Sequence, residues 1–352
     1  MSTELARELV MIHGWNSTSC QILNPGINHW FSPSTDAVVG YTRRGSCMNA
    51  AGSPVCAPEH LATVCDEFES FARRKRCRVC YVCAEDRLNS VLTRSRRHAA
   101  IVMGAQPVWD PHTWSRITRR HASLRAQLSR AVNKQVQVEE ISPEQAALNP
   151  DLRIVLKEWV NSRRLPPMHF LVEPEILDAL FADRVVLVAQ RRGRPVAFLV
   201  ASPIVGKSGY LVELLARSPH APNGTSELLI DAAMRRFAEE NRRYVTLGLV
   251  ALATAVRREM HERNPFWLQT MMNFARAHAN RFYNFRGLEY FRVKMMPNRW
   301  EPVYAISNER SFSLRTLYDV GAAFSGISPW LAIAVGIGKA LRRELSPGRA
   351  ND

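Results

Sequence analysis

The sequence predicts a mixed α/β fold built as two similarly organised units, and three observations carry that expectation. The chain has 352 residues, more than one typical domain. Amphipathic helical stretches alternate with short β-rich runs, the pattern of a mixed central sheet flanked by helices. Apolar residues make up 46% and charged residues 22%, a globular composition able to bury a core.

The first unit opens with a short amphipathic stretch and the segment Gly14-Trp15-Asn16-Ser17. Residues 37–42 read as a strand and Ala51-Gly52-Ser53-Pro54 as a turn. Residues 59–74 read as a helix, because Leu61, Val64, Cys65, Phe68 and Phe71 or Ala72 recur at helical spacing. Cations at 73–76 suit the negative end of its dipole. Residues 77–83 return to a strand rich in Val, Tyr and Cys. Residues 111–135 read as one long helix, with Trp114, Ile117, His121, Leu124, Leu128 and Val132 as its apolar stripe. Arg116, Arg119, Arg120, Arg125, Arg130 and Lys134 occupy the rest, after a further cluster at Arg94, Arg96 and Arg97.

The pattern breaks near 137–150, where the second unit is expected to begin. Helices are predicted over 151–163 and 173–181. Strands over 185–190 and 195–201 flank Arg192-Gly193-Arg194, a hairpin signal. A strand over 210–215 precedes Asn223-Gly224-Thr225, which opens a helix over 226–241 with Thr225 as its cap. A strand over 245–250 and a helix over 266–282 complete the unit.

Formal net charge is +15, which points to a polyanionic partner such as nucleic acid or anionic lipid. No basic n-region precedes a long apolar run at the N-terminus, so no secretory leader is expected. All seven cysteines fall between Cys20 and Cys83, an odd number in a long chain, which favours a reducing cytoplasm over a disulfide scaffold. Cys77, Cys80 and Cys83 are spaced three apart, and residues three apart on a strand point to opposite faces. They are therefore expected to be buried thiols and not a metal site. No Walker, Gly-x-Gly-x-x-Gly, Gly-x-Ser-x-Gly or His-Glu-x-x-His pattern occurs, so nucleotide hydrolysis and dinucleotide redox chemistry are poorly supported. His121 and His278 sit on apolar helical stripes and read as core residues.

Two stretches carry chemistry. Glu213 is a carboxylate inside an apolar strand, costly to bury unless paired or used, although an edge-strand Glu facing water fits equally well. That strand runs through Ala221-Pro222-Asn223-Gly224-Thr225 into a helix N-terminus, where backbone N–H groups attract negative charge. Further on, Phe282-Tyr283-Asn284-Phe285-Arg286-Gly287-Leu288, Arg292, Lys294 and Trp300-Glu301-Pro302-Val303-Tyr304 interleave aromatics with cations. They read either as a structural cap or as a wall for an anionic or aminoacyl substrate.

These segments resemble the C-terminal catalytic region of the phosphatidylglycerol lysyltransferase family, the bacterial aminoacyl-lipid synthases. The family pattern is an acidic strand, an Ala-Pro-Asn-Gly-Thr turn, a Leu-Gly strand, Phe-Tyr-Asn-Phe-x-Gly-Leu, a Lys, and Trp-x-Pro-x-Tyr. Here these stand at Glu213, 221–225, Leu247-Gly248, 282–288, Lys294 and 300–304, in order and at matching spacing. The first half matches less crisply, at Gly52-Ser53-Pro54-Val55, Ser123-Leu124-Arg125 and Asn133-Lys134. The sequence departs from the pattern at Glu213, where the family commonly has Asp, and at Ala216 and Val303, where it has basic residues. It departs again at 250–254, where the family has a Pro-Leu-Ser-Gly-like turn.

The resemblance implies tandem GNAT-like acyltransferase domains at 1–135 and 136–310, each a mixed central sheet flanked by helices, followed by a tail over 311–352. It implies transfer of an aminoacyl group from aminoacyl-tRNA to a phosphatidylglycerol-like lipid hydroxyl, without metal or other cofactor. Glu213 would take the substrate amino group or a proton, and Lys294 and Arg286 phosphate or oxyanion charge. Asn223, Gly224, Thr225, Glu227, Tyr283, Asn284, Arg292, Trp300 and Tyr304 would line the substrate. The cations from Arg116 to Lys134 would hold tRNA or lipid phosphates. Two alternatives stay open: an acyl-CoA-dependent N-acyltransferase of the same fold, and a non-catalytic relative that binds tRNA or membranes. Residues 320–338 are 19 consecutive uncharged residues containing Trp330, followed by Lys339, Arg342 and Arg343. The protein is therefore expected in the cytoplasm, peripheral at the inner membrane face through 312–345.

Overall fold

The computed structural model describes residues 2–162, 170–171, 175–179, 181–278 and 285–325. The chain begins with α1 (Ser2–His13), β1 (Asn28–Phe31), β2 (Val38–Arg44) and β3 (Cys47–Ala51). It continues through α2 (Leu61–Arg74), β4 (Arg78–Ala84), α3 (Asp86–Leu92), β5 (Ala99–Trp109), α4 (Trp114–Arg120) and α5 (Ala122–Asn133). Next come β6 (Val136–Ile141), α6 (Pro143–Leu148), α7 (Pro150–Ser162), β7 (Val185–Arg191), β8 (Arg194–Ile204), β9 (Gly209–Arg217) and α8 (Thr225–Glu239). The last elements are β10 (Tyr244–Thr246), β11 (Val250–Ala251), α9 (Arg257–Arg263), α10 (Phe266–His278), α11 (Phe285–Lys294), β12 (Arg299–Ser307) and α12 (Leu314–Ser325).

All twelve strands join one mixed sheet in the order β1-β2-β3-β4-β12-β5-β10-β9-β8-β7-β6, with β11 beside β5. The order is palindromic about the central β12–β5 pair: β4 answers β10, β3 answers β9, and β2 answers β8. The two parallel pairs, β3 with β4 and β9 with β10, are each joined by a crossover helix, α2 or α8. The last strand of each half has been exchanged. β5, made in the first half, pairs with β10 of the second, and β12, made in the second, pairs with β4 of the first.

Helices α2 and α8 cover one face of this sheet. Val102 and Ala105 of β5 enter the apolar cluster built on Phe68 of α2, and Trp109 enters the one built on Phe237 of α8. The opposite face carries α12 over Val303 and Ala305, and α7 over Leu214 and Ala216. β5 holds an extra residue, Met103, where its register against β12 shifts. Asn264 fills the gap: its Oδ1 accepts from Val102 N at 2.8 Å and its Nδ2 donates to Val102 O at 3.0 Å. Arg78 fastens α12 to the sheet through Asp319 (2.7 Å) and the segment before it through Glu309 (3.3 Å).

The structure corrects several expectations. The predicted helix over 111–135 is a 3-10 turn and two helices, because His121 is extended (φ −98°, ψ 99°) and the two pieces bury different stripes. Thr225 is not the cap of α8: Gly224 is, at φ 94°, and the Thr225 hydroxyl donates back to Pro222 O. The strand expected over 245–250 is interrupted at Leu247-Gly248 and its second piece joins β5. Of the helix expected over 173–181, the described residues show a 3-10 turn at Ile176–Asp178. The cysteines are buried as expected, Cys77 in the cluster under α2 and Cys80 and Cys83 on the other face. Cys80 and Cys83 share a face because Cys83 leaves the regular strand with φ 63°. Residues 326–352, where most of the proposed membrane tail falls, lie outside the described residues. Among the described residues no helix is long and apolar enough to cross a membrane.

Because β12 separates β4 from β5, residues 1–135 alone would leave both strands without that neighbour. Residues 1–135 and 136–352 made separately are each expected to lack a cooperative thermal transition, which circular dichroism would record, and to regain one when co-expressed. A sharp transition in either piece alone would contradict the exchanged arrangement.

Candidate functional site

Where β9 and β10 run parallel they pair at only three positions, Tyr244↔Gly209, Val245↔Tyr210 and Thr246↔Leu211. β9 continues to Arg217, whereas the chain after Thr246 turns away at Gly248 (φ 70°) and returns as β11 beside β5. The β10-facing edge of residues 212–217 is thus without a strand neighbour among the described residues, and a wedge opens between the two strands. The free backbone groups of such an edge need partners and can take them from a ligand.

Three elements meet at the mouth of the wedge. The turn after β9 brings in the N-terminus of α8, whose unpaired N–H groups attract negative charge. Gly224 is required there, because a Cβ would stand 2.0 Å from the Gln127 carbonyl of α5. From the other side, α11 is strapped across the opening. Its Arg292 Nη2 donates to Leu247 O at 2.6 Å, beside the end of β10, and its Lys294 Nζ reaches Glu227 Oε1 at 3.2 Å in the first turn of α8. Beyond β11 lies a cleft of about 630 Å³ lined by Leu252, Arg257, Arg258, Met260, His261 and Met272, among others.

Glu213 lies on β9 itself, at a bulge: Val200 faces Leu214 and Ala201 faces Val212, so Glu213 is the extra residue. Its carboxylate is bidentate to Arg184, Oε1 to Nε at 2.8 Å and Oε2 to Nη2 at 3.0 Å. Both side chains are sealed, at 3% and 1% exposure. Arg184 also donates to Asn24 Oδ1 at 2.9 Å and to Ala179 O, and stacks on Phe181. Both Glu213 oxygens are therefore engaged. The neighbouring Cys20 thiol is pushed up to about 12, by burial first and the Glu213 charge second.

On the same face a second polar group occupies the centre of the sheet. Ser17 N and Oγ donate to Glu85 (2.8 Å) and Gln106 (2.9 Å). Gln106 Nε2 donates to Glu85 and to Tyr244 Oη, both at 3.1 Å, and Tyr244 Oη donates to Glu301 at 2.7 Å. Lys207 Nζ bonds Glu85 and Tyr244 and approaches Glu301 at 3.6 Å. Burial, then Glu85 and Glu301, push the Tyr244 phenol far above its ordinary range. Burial raises Glu301, but Lys207, Tyr244 and Arg299 outweigh it and hold that carboxyl low.

Of the residues singled out from sequence, the wedge gathers Gly224, Thr225, Glu227, Arg292 and Lys294, with Asn223 exposed at its rim. Glu213 shares no partner with Lys294 and faces the α7 side. Trp300 and Tyr304 belong to β12 and pack with the first-half core under α2, where Tyr304 Oη donates to Asp86 at 2.7 Å. Tyr283, Asn284 and the Arg286 side chain lie outside the described residues. Arg116, Arg119, Arg120, Arg125, Arg130 and Lys134 are all exposed on α4, α5 and the turn that follows, with no acidic partner among the described residues. Sequence reasoning missed Arg184, Lys207, Tyr244, Glu85 and Gln106. Only Arg184, a cation opening an apolar strand, left a trace that could have drawn notice. Among the described residues no group of three or more His, Cys, Asp or Glu is placed to hold a metal ion.

Residues 7–307 match the family described as phosphatidylglycerol lysyltransferase, C-terminal. Among solved structures, the chain is similar to the C-terminal domain (DUF2156) of an Agrobacterium fabrum protein described as a lysylphosphatidylglycerol synthetase. That likeness has a TM-score of 0.74 and 23% identity, over 92% of this chain and 97% of that one. It is similar also to L-PGS from Bacillus licheniformis, with a TM-score of 0.73 and 18% identity, over 92% and 96%. A conserved protein of unknown function from Bacteroides thetaiotaomicron shares the fold at a TM-score of 0.58 and 11% identity, over 86% and 95%. No curated protein matches the chain.

Removing one partner of a sealed ion pair strands the other charge. Glu213→Ala is expected to lower the unfolding free energy by about 3–5 kcal/mol in urea titration. The double variant Glu213→Ala, Arg184→Met is expected to recover a large part of that loss. Equal stability of Glu213→Ala and the parent would show that the pair contributes nothing.

Proposed function

The chain belongs to the phosphatidylglycerol lysyltransferase family, a family of lipid aminoacyltransferases, and from that premise we propose that it moves an aminoacyl group from aminoacyl-tRNA to the hydroxyl of an anionic phospholipid such as phosphatidylglycerol. The observation that carries this reading is the wedge between β9 and β10, mouthed by a helix N-terminus and by Arg292 and Lys294. The aminoacyl ester on the tRNA 3′ end is already activated. The lipid hydroxyl oxygen attacks its carbonyl carbon, the carbonyl oxygen carries transient negative charge, and the ribose oxygen leaves with the proton that the hydroxyl gave up. One ester bond forms and one breaks, so the exchange balances without an oxidant or reductant.

The protein's work is then positioning and charge stabilisation. Lys294 spends one bond on Glu227 and keeps two donors for the developing oxyanion. Arg292 and the α8 N-terminus add positive potential at the same opening. Glu213 serves as a positioning residue: locked to Arg184 at the bulge, it sets where β9 departs from β10. Arg257 and Arg258, beside Met260 and Met272, give the neighbouring cleft the mixed character that a phosphate headgroup and its glycerol stem would meet. The exposed cations from Arg116 to Lys134 present a phosphate-binding surface next to α8, fitted to the tRNA.

The direct test is incubation with a pool of charged tRNAs and phosphatidylglycerol, followed by mass spectrometry of the lipids. An aminoacylated lipid is expected, and its absence with every charged tRNA would overturn the reading. Lys294→Ala is expected to lower kcat/KM by about 10²- to 10³-fold in steady-state assays. Replacing Arg119, Arg120 and Arg125 with Gln is expected to weaken tRNA binding and to flatten its dependence on log salt by about 0.7–0.9 per cation. An unchanged salt slope in a filter-binding titration would remove the tRNA from that surface.

A further inference from the structure

A second concentration of cations without an acidic partner among the described residues lies at the far corner of the first half. The end of β2 supplies Arg43 and Arg44, and the end of α2 with the turn into β4 supplies Arg73, Arg74, Lys75 and Arg76, all exposed. The turns that follow β2 and α2 are adjacent: Arg78 N donates to Ser46 O at 2.8 Å, and Cys47 and Arg78 are register partners in the parallel β3–β4 pair. Among the described residues none of the six cations is ion-paired.

The palindromic sheet provides an internal comparison. The equivalent corner of the second half, at the end of α8, is also rich in arginine, but there three of its four arginines have acidic partners, Arg243 being the fourth. Arg235 pairs with Asp231 (2.8 Å), and both Arg236 (2.6 Å) and Arg242 (3.2 Å) pair with Glu240. The same fold position can therefore be built with most of its arginines paired, and the architecture does not demand the excess at the first corner. Six like charges held together raise the local potential and await a counter-charge from outside.

An apolar feature adjoins them. Arg78 and the Gly45 turn both lie against Asp319, which seats α12 at this corner. The outward side of α12 shows Leu314 at 64% and Tyr318 at 38% exposure, one helical turn apart, with Arg315 beside them. Cations next to an outward Leu and Tyr match the headgroup region of a bilayer, where phosphates meet the arginines and the ring and aliphatic chain reach the glycerol level. A nucleic acid backbone would use the cations but would leave Leu314 in water.

We propose that this corner, the β2 end, the α2 end and the outer side of α12, is a docking surface for an anionic lipid bilayer, distinct from the wedge and from the cations of α4 and α5. Its test needs no turnover, so it stands or falls apart from the transferase reading. The full-length chain is floated with phosphatidylglycerol–phosphatidylcholine vesicles and with phosphatidylcholine alone, at low and high salt. R73Q/R74Q/K75Q/R76Q is expected to lower the partition onto anionic vesicles by at least about tenfold. It is expected to bind tRNA as the parent does. L314S/Y318S is expected to lower the partition while keeping its salt dependence, and the charge-retaining R73K/R74K/R76K to float like the parent, which controls for folding. Equal flotation of the quadruple glutamine variant and the parent would overturn the proposal. So would a variant that keeps flotation and loses tRNA binding, since the corner would then be an RNA surface.

Discussion

Pairing of β5 with β12 over nine positions, from Arg299↔Val108 to Ser307↔Ala99, holds the two halves of the chain in one sheet. Each strand was made in one half and is flanked by the other, so neither half closes its own sheet. The clusters under α2 and α8 then share one face and those under α12 and α7 the other. The polar group at the centre, Glu85, Gln106, Lys207, Tyr244 and Glu301, draws a residue from β5, one from β12 and one from β10, and exists only because the exchange brings those strands side by side. A buried network of this kind is tolerable only when its members are mutually satisfied, and it penalises any other register of the central strands.

The wedge inherits its shape from the same constraint. β10 is held against β5 at Val245↔Trp109 and Thr246↔Val108, and the chain then follows β5 as β11 instead of following β9. β9 meanwhile is drawn toward β8 and fixed by the Glu213–Arg184 pair, whose burial makes it expensive to break. Two parallel strands pulled by different neighbours must part. The opening is a product of sheet topology, and the cations of α11 are laid across it afterwards.

Helix α2 was legible in the sequence because Leu61, Val64, Cys65 and Phe68 repeat at helical spacing and pack together in one cluster. The hairpin at Gly193 was legible from its turn residues and flanking apolar runs. Glu213 stood out as a charge in an apolar strand. Its partner Arg184 did not, since 29 residues and two strands separate them and no periodicity links them. The central strands β5 and β12 went unread for a physical reason: Pro107 and Pro302 lie inside them, and proline lacks the N–H a ladder needs, so each run looks broken. Local pattern reports what a residue does to its own backbone. It is silent on a strand whose partner comes from the other half of the chain.

The two halves also show how a duplicated plan can be used unequally. In the first, β3 is paired with β4 over its whole length, from Cys47↔Arg78 to Ala51↔Val82, and Gly52 N continues the ladder by donating to Val82 O at 2.6 Å. The space where a wedge would begin is filled from the N-terminal segment. Asn16 Nδ2 donates to Thr18 Oγ1 at 2.7 Å and Ser53 Oγ donates to Asn16 Oδ1 at 3.2 Å, all buried. The packing is so close that a Cβ on Gly52 would stand 2.2 Å from the Thr18 hydroxyl. In the second half the matching strands part after three pairs and nothing of this kind fills the gap among the described residues. The first half, with its strands sealed, carries surface charge at its far corner, and the second, with its strands open, holds the wedge to which the proposed chemistry is assigned.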